Sequence, residues 1–121
     1  MTDQTPARAQ AAAADRLVRL DVHDDGVAVL TLNRPAQRNA LSLAMMSAIE
    51  AALEEIAGNP VARAVVLRGE GPAFCSGHDL KEMRADPDKA SHEALFAQCS
   101  RMMTRIVRLP KPVIAEVGGI A

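Results

Sequence analysis

Strands that alternate with helices along this chain predict an α/β layered fold. Near the N-terminus, residues 17–22 alternate between apolar and polar side chains, and residues 27–32 are almost wholly apolar. Between them, Asp24-Asp25-Gly26 has the composition of a tight turn, so the two segments are predicted to form a β-hairpin. Two longer segments with helical spacing of apolar residues follow, and each leads into a further apolar run typical of a strand.

The first helix is predicted to begin after Ser42, a favourable N-cap residue, and to run to about Ala57. Gly58 and Pro60 then act as stop signals. The apolar residues of this segment recur at helical spacing and define the face that is expected to meet the core: Leu43, Met46, Ile49, Ala52, Leu53 and Ile56.

The next predicted strand covers residues 61–68 and is apolar on both faces, as a strand inside a covered sheet would be. A turn at residues 75–82 follows, and it leads into a run that is compatible with a helix start. Residues 84–89, which include Pro87, are predicted to be a polar insertion.

A second long helix is predicted to begin at Ser91, as its N-cap, and to stop before Pro110 and Pro112. Residues 113–117 then predict the last strand. The apolar positions of this helix are Leu95, Cys99, Met102, Met103, Ile106 and Leu109.

Composition excludes several classes of function. The 121 residues have a net charge of −1 and only two aromatic side chains, so they offer nucleic acid neither a basic field nor a stacking surface. No apolar run approaches the roughly 20 residues of a membrane span, and two cysteines do not make a disulfide framework. We therefore expect one modest core, a cytoplasmic location, and no nucleic-acid or membrane partner. Residues 1–15 lack the apolar centre of a secretory signal and are expected to be a disordered tail.

The segment best suited to take part in a reaction is residues 74–82, where an apolar strand is followed by the start of a helix. The first backbone N–H groups of a helix have no partner within the helix, and the helix dipole adds positive charge there. An oxygen that gains negative charge in a reaction would be stabilised at such a point, and Gly77 leaves room for it to approach. The plain alternative is a strand-to-helix connection with Asp79 as its N-cap.

Three motifs together resemble the enoyl-CoA hydratase/isomerase (crotonase) superfamily. They are residues 32–41 (LNRPAQRNAL), 74–83 (FCSGHDLKEM) and 111–121 (KPVIAEVGGIA), in the family's order. The resemblance implies the ββα spiral unit of the crotonase fold, with residues 16–121 as a partial domain. Because the chain ends directly after an apolar strand, we expect it to be the N-terminal part of a longer protein, truncated at its C-terminus.

The same resemblance implies an enzyme that hydrates 2-enoyl-CoA, a lyase reaction, or carries out a related isomerisation. In the family, two backbone N–H groups hold the thioester carbonyl of an acyl-CoA while an enolate forms, and the first donor maps to the backbone N–H of His78. The second donor and the carboxylates of family hydratases lie further along, so this chain alone is expected to be inactive. Coenzyme A is part of the substrate, so no other cofactor and no metal is implied. The longer protein is expected to be a homotrimer or hexamer.

The resemblance also assigns contacts with coenzyme A. Arg34, Arg38 and Lys81 are candidates to neutralise its phosphates, and the alternative for each is ordinary surface charge. The residues assigned to substrate and coenzyme A are Ala36, Gln37, Arg38, Ala40, Ser76, Gly77, His78, Asp79, Leu80 and Lys81.

Three alternatives stay open. The His78 imidazole faces solvent or contacts the helix cap, or else it acts as a general base. Cys75 is a small buried residue, or else it joins His78 as a thiolate nucleophile or metal pair. The motif around His78 is similar to that of a family subgroup in which the catalytic carboxylates are not assured, so the alternative function is a non-hydratase member with a regulatory or scaffold role in fatty acid metabolism.

Overall fold

The computed structural model describes residues 16–119 and 121, so the tail predicted for residues 1–15 lies outside the described residues. A short 3-10 turn, Pro35–Gln37, follows the second strand. Strands and helices alternate, which confirms the predicted α/β class. In chain order the elements are β1 (Val18–Val22), β2 (Val27–Leu32), α1 (Leu43–Gly58), β3 (Ala64–Gly69), α2 (Leu80–Ala85), α3 (Lys89–Arg108) and β4 (Val113–Glu116).

The four strands form one sheet in the order β1-β2-β3-β4. β1 and β2 pair antiparallel, as the predicted hairpin requires, and Asp25 Oδ1 accepts a hydrogen bond from the Val27 N–H (3.0 Å) in the turn. β2 pairs parallel with β3, and β3 pairs parallel with β4, so helices carry the chain back across the sheet between these strands. The carboxyl ends of β2 and β3 therefore lie side by side, and the loops that leave them form the candidate site.

One core joins the sheet to α1 and α3. The predicted face of α1 is wrong at Leu43, whose side chain is 42% exposed, while Met45 is fully buried instead. The other five predicted positions of α1 are buried as expected: Met46, Ile49, Ala52, Leu53 and Ile56. Among the described helices, none has the length and apolar character that crossing a membrane requires.

The predicted start of β3 is wrong, because the strand begins at Ala64 and not at Val61. The cause is Asn59, which holds the intervening residues in a turn. Its Oδ1 accepts from the Val61 N–H (2.9 Å), and its carbonyl accepts from the Ala62 N–H (3.2 Å). These bonds use the backbone groups that strand pairing would need.

The predicted start of α3 is also wrong. The helix begins at Lys89 with Asp88 as its N-cap, so Ser91 lies inside it. Leu95 and Met102 are its buried residues. The predicted insertion is shorter than expected, because α2 extends to Ala85.

The outer side of α3 carries apolar residues as well. Phe96, Met103 and Val107 are 45%, 47% and 82% exposed. They are separated by seven and then four positions, so they share one face of the helix. Met103 therefore lies on this exposed face, although its spacing placed it with the core residues.

Candidate functional site

The candidate site is formed by two short segments that leave the adjacent ends of β2 and β3. We name them the loop wall (residues 36–40) and the turn wall (residues 76–81). The Leu41 N–H donates to the Gly77 carbonyl (2.7 Å), and the Ser76 N–H donates to the Arg38 carbonyl (3.0 Å). These two bonds fix the loop wall against the turn wall at one end.

Asn39 fastens the loop wall to the segment between β3 and the turn wall. Its side chain is fully buried, and its Nδ2 donates to the carbonyls of Glu70, Ala73 and Phe74 at 3.0–3.1 Å. Its Oδ1 accepts from the Arg34 N–H (2.7 Å). Asn39 had no role predicted from the sequence. The available signal was that Asn tolerates the left-handed backbone conformation, and Asn39 has φ +56°.

Asp79 caps α2, as the plain alternative for this turn predicted. Its Oδ1 accepts from the Glu82 N–H (3.1 Å). The Glu82 side chain in turn leaves its own helix, and its Oε1 accepts from the Leu43 N–H at the start of α1 (2.9 Å). The cap and a backbone that faces an open groove occur together here, so the two predicted roles of the turn do not exclude each other.

The two walls enclose an open groove of about 600 Å³. Nine of the ten residues that the resemblance assigned to substrate and coenzyme A line it, and Gly77 is the tenth. Gly77 has φ +91°, and a side chain built there would meet no atom within 4 Å. Glycine is therefore required for its backbone conformation, and the space beside it stays open. The nine lining residues are Ala36, Gln37, Arg38, Ala40, Ser76, His78, Asp79, Leu80 and Lys81.

His78 presents a backbone donor and a packed side chain. Within residues 16–119, no group accepts a hydrogen bond from its backbone N–H. Its ring meets the Phe96 ring edge to face, with the centroids 5.2 Å apart. The ring atom Nδ1 is buried and has no hydrogen-bond partner among the described residues. The ring thus packs against α3 while His78 stays half-buried, and no hydrogen bond joins the imidazole to the helix cap within the described residues.

Two cations lie at the groove. Arg38 and Lys81 are exposed lining residues, and neither forms an ion pair within the described part of the chain. Arg34, the third predicted phosphate partner, is exposed but does not line the groove. The structure therefore brings together two of the three predicted cations.

Cys75 has the environment of a structural thiol. It is half-buried and packs against the core. Burial raises the pKa of the Cys75 thiol, and a backbone hydrogen bond from Gly77 only partly opposes this. A raised pKa disfavours the thiolate that a nucleophile needs. Among the described residues, no cluster of three His, Cys, Asp or Glu side chains is placed to hold a metal.

Comparison with known proteins identifies the family. The model of the family described as enoyl-CoA hydratase/isomerase matches residues 27–121. The chain belongs to the enoyl-CoA hydratase/isomerase family, and the family predicted from the three motifs is confirmed. Its fold is the N-terminal part of the crotonase fold, as a crystal structure of a Mycobacterium smegmatis enoyl-CoA hydratase shows. That structure is 51% identical in sequence to this chain, with a TM-score of 0.82. The match covers 85% of this chain and 40% of the Mycobacterium smegmatis chain.

Two further relatives show how far the similarity extends. Enoyl-CoA hydratase domain-containing protein 3, mitochondrial, of Xenopus laevis is 42% identical over 98 residues, or 81% of this chain and 33% of the relative. It represents the subgroup that the motif around His78 resembled. The 1,2-epoxyphenylacetyl-CoA isomerase of Escherichia coli is 32% identical over 81% of this chain and 38% of its own. The chain thus spans about a third of the length of the curated relatives it matches.

Proposed function

We propose that this chain provides the acyl-CoA groove and one oxyanion donor of an enzyme of its family. The observation that carries the proposal is the groove, which collects nine residues assigned to coenzyme A beside the free backbone N–H of His78. The substrate is an acyl-CoA thioester whose carbonyl oxygen accepts from that N–H. Arg38 and Lys81 attract the phosphates of coenzyme A to the exposed rim.

The His78 N–H acts on the charge that develops during the reaction. As a proton leaves or water adds, negative charge collects on the thioester oxygen, and a fixed donor lowers the energy of that state more than that of the substrate. The backbone is held on either side of this donor, because the Gly77 carbonyl accepts from the Leu41 N–H and the Asp79 side chain caps α2. The reaction class we propose is hydration of a 2-enoyl-CoA or isomerisation through the same enolate.

The proposal includes no metal and no cofactor other than the coenzyme A of the substrate. It assigns no proton-transfer group to this chain, so the 121-residue chain should bind acyl-CoA without hydrating crotonyl-CoA. Assembly as a homotrimer or hexamer, and a cytoplasmic location, are part of the proposal for the whole protein. The Xenopus laevis relative carries the word mitochondrial in its name, so location needs its own test.

Calorimetric titration of the 121-residue chain with acetyl-CoA tests binding. Changing Arg38 and Lys81 together to Gln should weaken binding about tenfold or more, because charge-assisted bonds to phosphate are lost. Arg63→Gln is the matched control, since Arg63 is an exposed cation at the opposite end of β3. Equal losses in both variants, or no binding by the native chain, would refute the groove as the site.

Kinetics test the oxyanion donor in a hybrid, with residues 27–121 placed in the matched segment of the Mycobacterium smegmatis hydratase. His78→Ala keeps the N–H and should retain most activity. His78→Pro deletes the donor, and Gly77→Val strains the turn, so each should lose about 10²–10³ in kcat. A severe loss in His78→Ala with unchanged folding would make the imidazole the acting group instead.

A further inference from the structure

Glu82 contacts an element other than the one its sequence position indicates. Asp79 and Glu82 have the spacing of a capping box, in which the glutamate side chain returns to the N–H of the capping residue. Here Asp79 caps the Glu82 N–H as expected, but Glu82 Oε1 accepts from the Leu43 N–H of α1 (2.9 Å). The glutamate therefore links two separate elements of the fold.

The two linked elements extend the two walls of the groove. The loop wall runs through Leu41 and Ser42 into α1, and the turn wall runs directly into α2. The Leu41–Gly77 and Ser76–Arg38 bonds link the two walls at one end. The Glu82–Leu43 bond is a further link, between the helices that continue the walls. The His78 N–H lies between these points of attachment.

The Glu82 contact caps α1 at a second N–H, and it comes from a different element of the fold. α1 already has its own cap, since Ser42 Oγ accepts from the Met45 N–H (3.0 Å). Leu43 is the first residue of α1, and its N–H has no acceptor within the helix. Removing Ser42 Oγ would therefore weaken α1 from within, whereas removing the Glu82 carboxylate would also separate the walls.

We propose that Glu82 is a positioning residue that holds the turn wall, and with it the His78 N–H, at a fixed distance from the loop wall. The inference rests on the proposed function, in which the position of the His78 N–H affects catalysis. Glu82 itself is not assigned any contact with substrate. Its effect passes through the first backbone N–H of α1.

Hydrogen exchange on the ligand-free 121-residue chain tests the positioning directly. In Glu82→Ala, the Leu41 and Ser76 amides should exchange about tenfold faster, because the walls open locally without global unfolding. Glu82→Gln keeps an acceptor oxygen and should remain within about twofold of the native rate. The Val65 amide, which donates to Pro112 in the sheet, is the internal reference and should not change.

Ser42→Ala is the matched control, since it removes a cap of the same helix without cutting the link. It should lower overall stability yet leave the ratio of the Leu41 to the Val65 exchange rate near the native value. Glu82→Asp keeps the charge but shortens the reach, and should behave like Glu82→Ala. Unchanged Leu41 and Ser76 exchange in Glu82→Ala and Glu82→Asp, or equal acceleration in Ser42→Ala, would overturn the inference.

Titration with acetyl-CoA separates this inference from the proposed function. If the native chain binds, Glu82→Ala should bind about tenfold more weakly and Glu82→Gln should bind normally, as expected for loss of one hydrogen bond. Binding that is equal in Glu82→Ala and the native chain would contradict the positioning role. If the native chain does not bind at all, the proposed function fails, and the exchange experiment still decides whether Glu82 fixes the walls.

Discussion

Asn39 shows how much of the groove depends on one buried side chain. Its amide makes four hydrogen bonds, so a residue with no contact in the groove sets the path of the loop wall. Three of the bonds come from the Nδ2 group and end on backbone carbonyls. Without that amide, those carbonyls would lose partners in a region that water reaches poorly.

Removing the Asn39 amide should therefore destabilise the fold strongly. We expect Asn39→Ala to lower the free energy of unfolding by about 3 kcal/mol or more. Asn39→Asp should cost more, because its buried carboxylate cannot donate and would face three carbonyl oxygens. Denaturant unfolding measures the change. The control is Asn59→Ala, which loses only an exposed bond to the Val61 N–H and should cost under about 1 kcal/mol. Similar costs for both variants would show that the buried amide is not special.

At the residue scale, the sequence predicted what depends on neighbours along the chain. The Asp79 cap follows from residue types three positions apart, and the groove residues were assigned by the family resemblance of two motifs. The partners of Asn39 and the Phe96 contact of His78 were not predictable in this way. For Asn39 they depend on backbone carbonyls 31 to 35 positions away, and for His78 on a ring of α3 that the fold brings within 5.2 Å.

At the element scale, the end of α1 is held by a side chain from far along the chain. The helix ends at Gly58, one of its predicted stop signals, and the C-cap residue Asn59 has φ −95°, so no left-handed residue caps the end. Lys111 adds a second donor to two carbonyls that each already accept from a backbone N–H. Its Nζ donates to the carbonyls of Ile56 and Asn59 at 2.6 and 2.7 Å. A cation at a helix C-terminus also interacts favourably with the helix dipole.

Lys111→Met should accordingly destabilise the chain by about 1–2 kcal/mol, through two lost bonds and the lost dipole interaction. The Lys89→Met variant is the control, because Lys89 begins α3 and its side chain is 90% exposed. Thermal unfolding of both variants at low and high salt provides the measurement. High salt should reduce the difference in thermal stability between the native chain and Lys111→Met only in part, because salt does not screen the hydrogen-bond component.

Element boundaries were predictable where apolar periodicity and a cap coincide. β2 has the predicted bounds, and α1 follows its predicted cap at Ser42. The start of β3 was not predictable from apolar character, because Val61 is as apolar as the strand that follows. The Val61 backbone N–H is bound by the Asn59 side chain, which competes with strand pairing. A count of apolar residues does not detect such a competition.

At the scale of the whole molecule, large apolar side chains remain exposed. Met103 and Val107 of α3 are exposed, as is Ile114 of β4, which is one of the two edge strands of the described sheet. An exposed edge strand beside apolar side chains favours association with another chain. Met102 and Ile106, two other apolar residues of the same helix, are buried and half-buried and so do not add to this surface.

We predict concentration-dependent association of the 121-residue chain in sedimentation velocity experiments. Val107→Lys and Ile114→Lys should each shift the distribution toward monomer, because a charge on an apolar face or edge strand opposes pairing. Thr104→Lys is the matched control, since it adds the same charge to an exposed position of α3 without removing an apolar side chain. A monodisperse native monomer with a sharp, two-state thermal melt would contradict the prediction.

The order of the strands in the sheet has a consequence for synthesis. Spatial order follows chain order, so each strand pairs with the one made before it. As the chain leaves the ribosome, the β1–β2 hairpin can close first, and β3 and β4 each then reach a partner that already exists. The sheet can therefore grow in one direction without rearrangement. At each stage the most recently made strand lies at the edge where the next strand pairs.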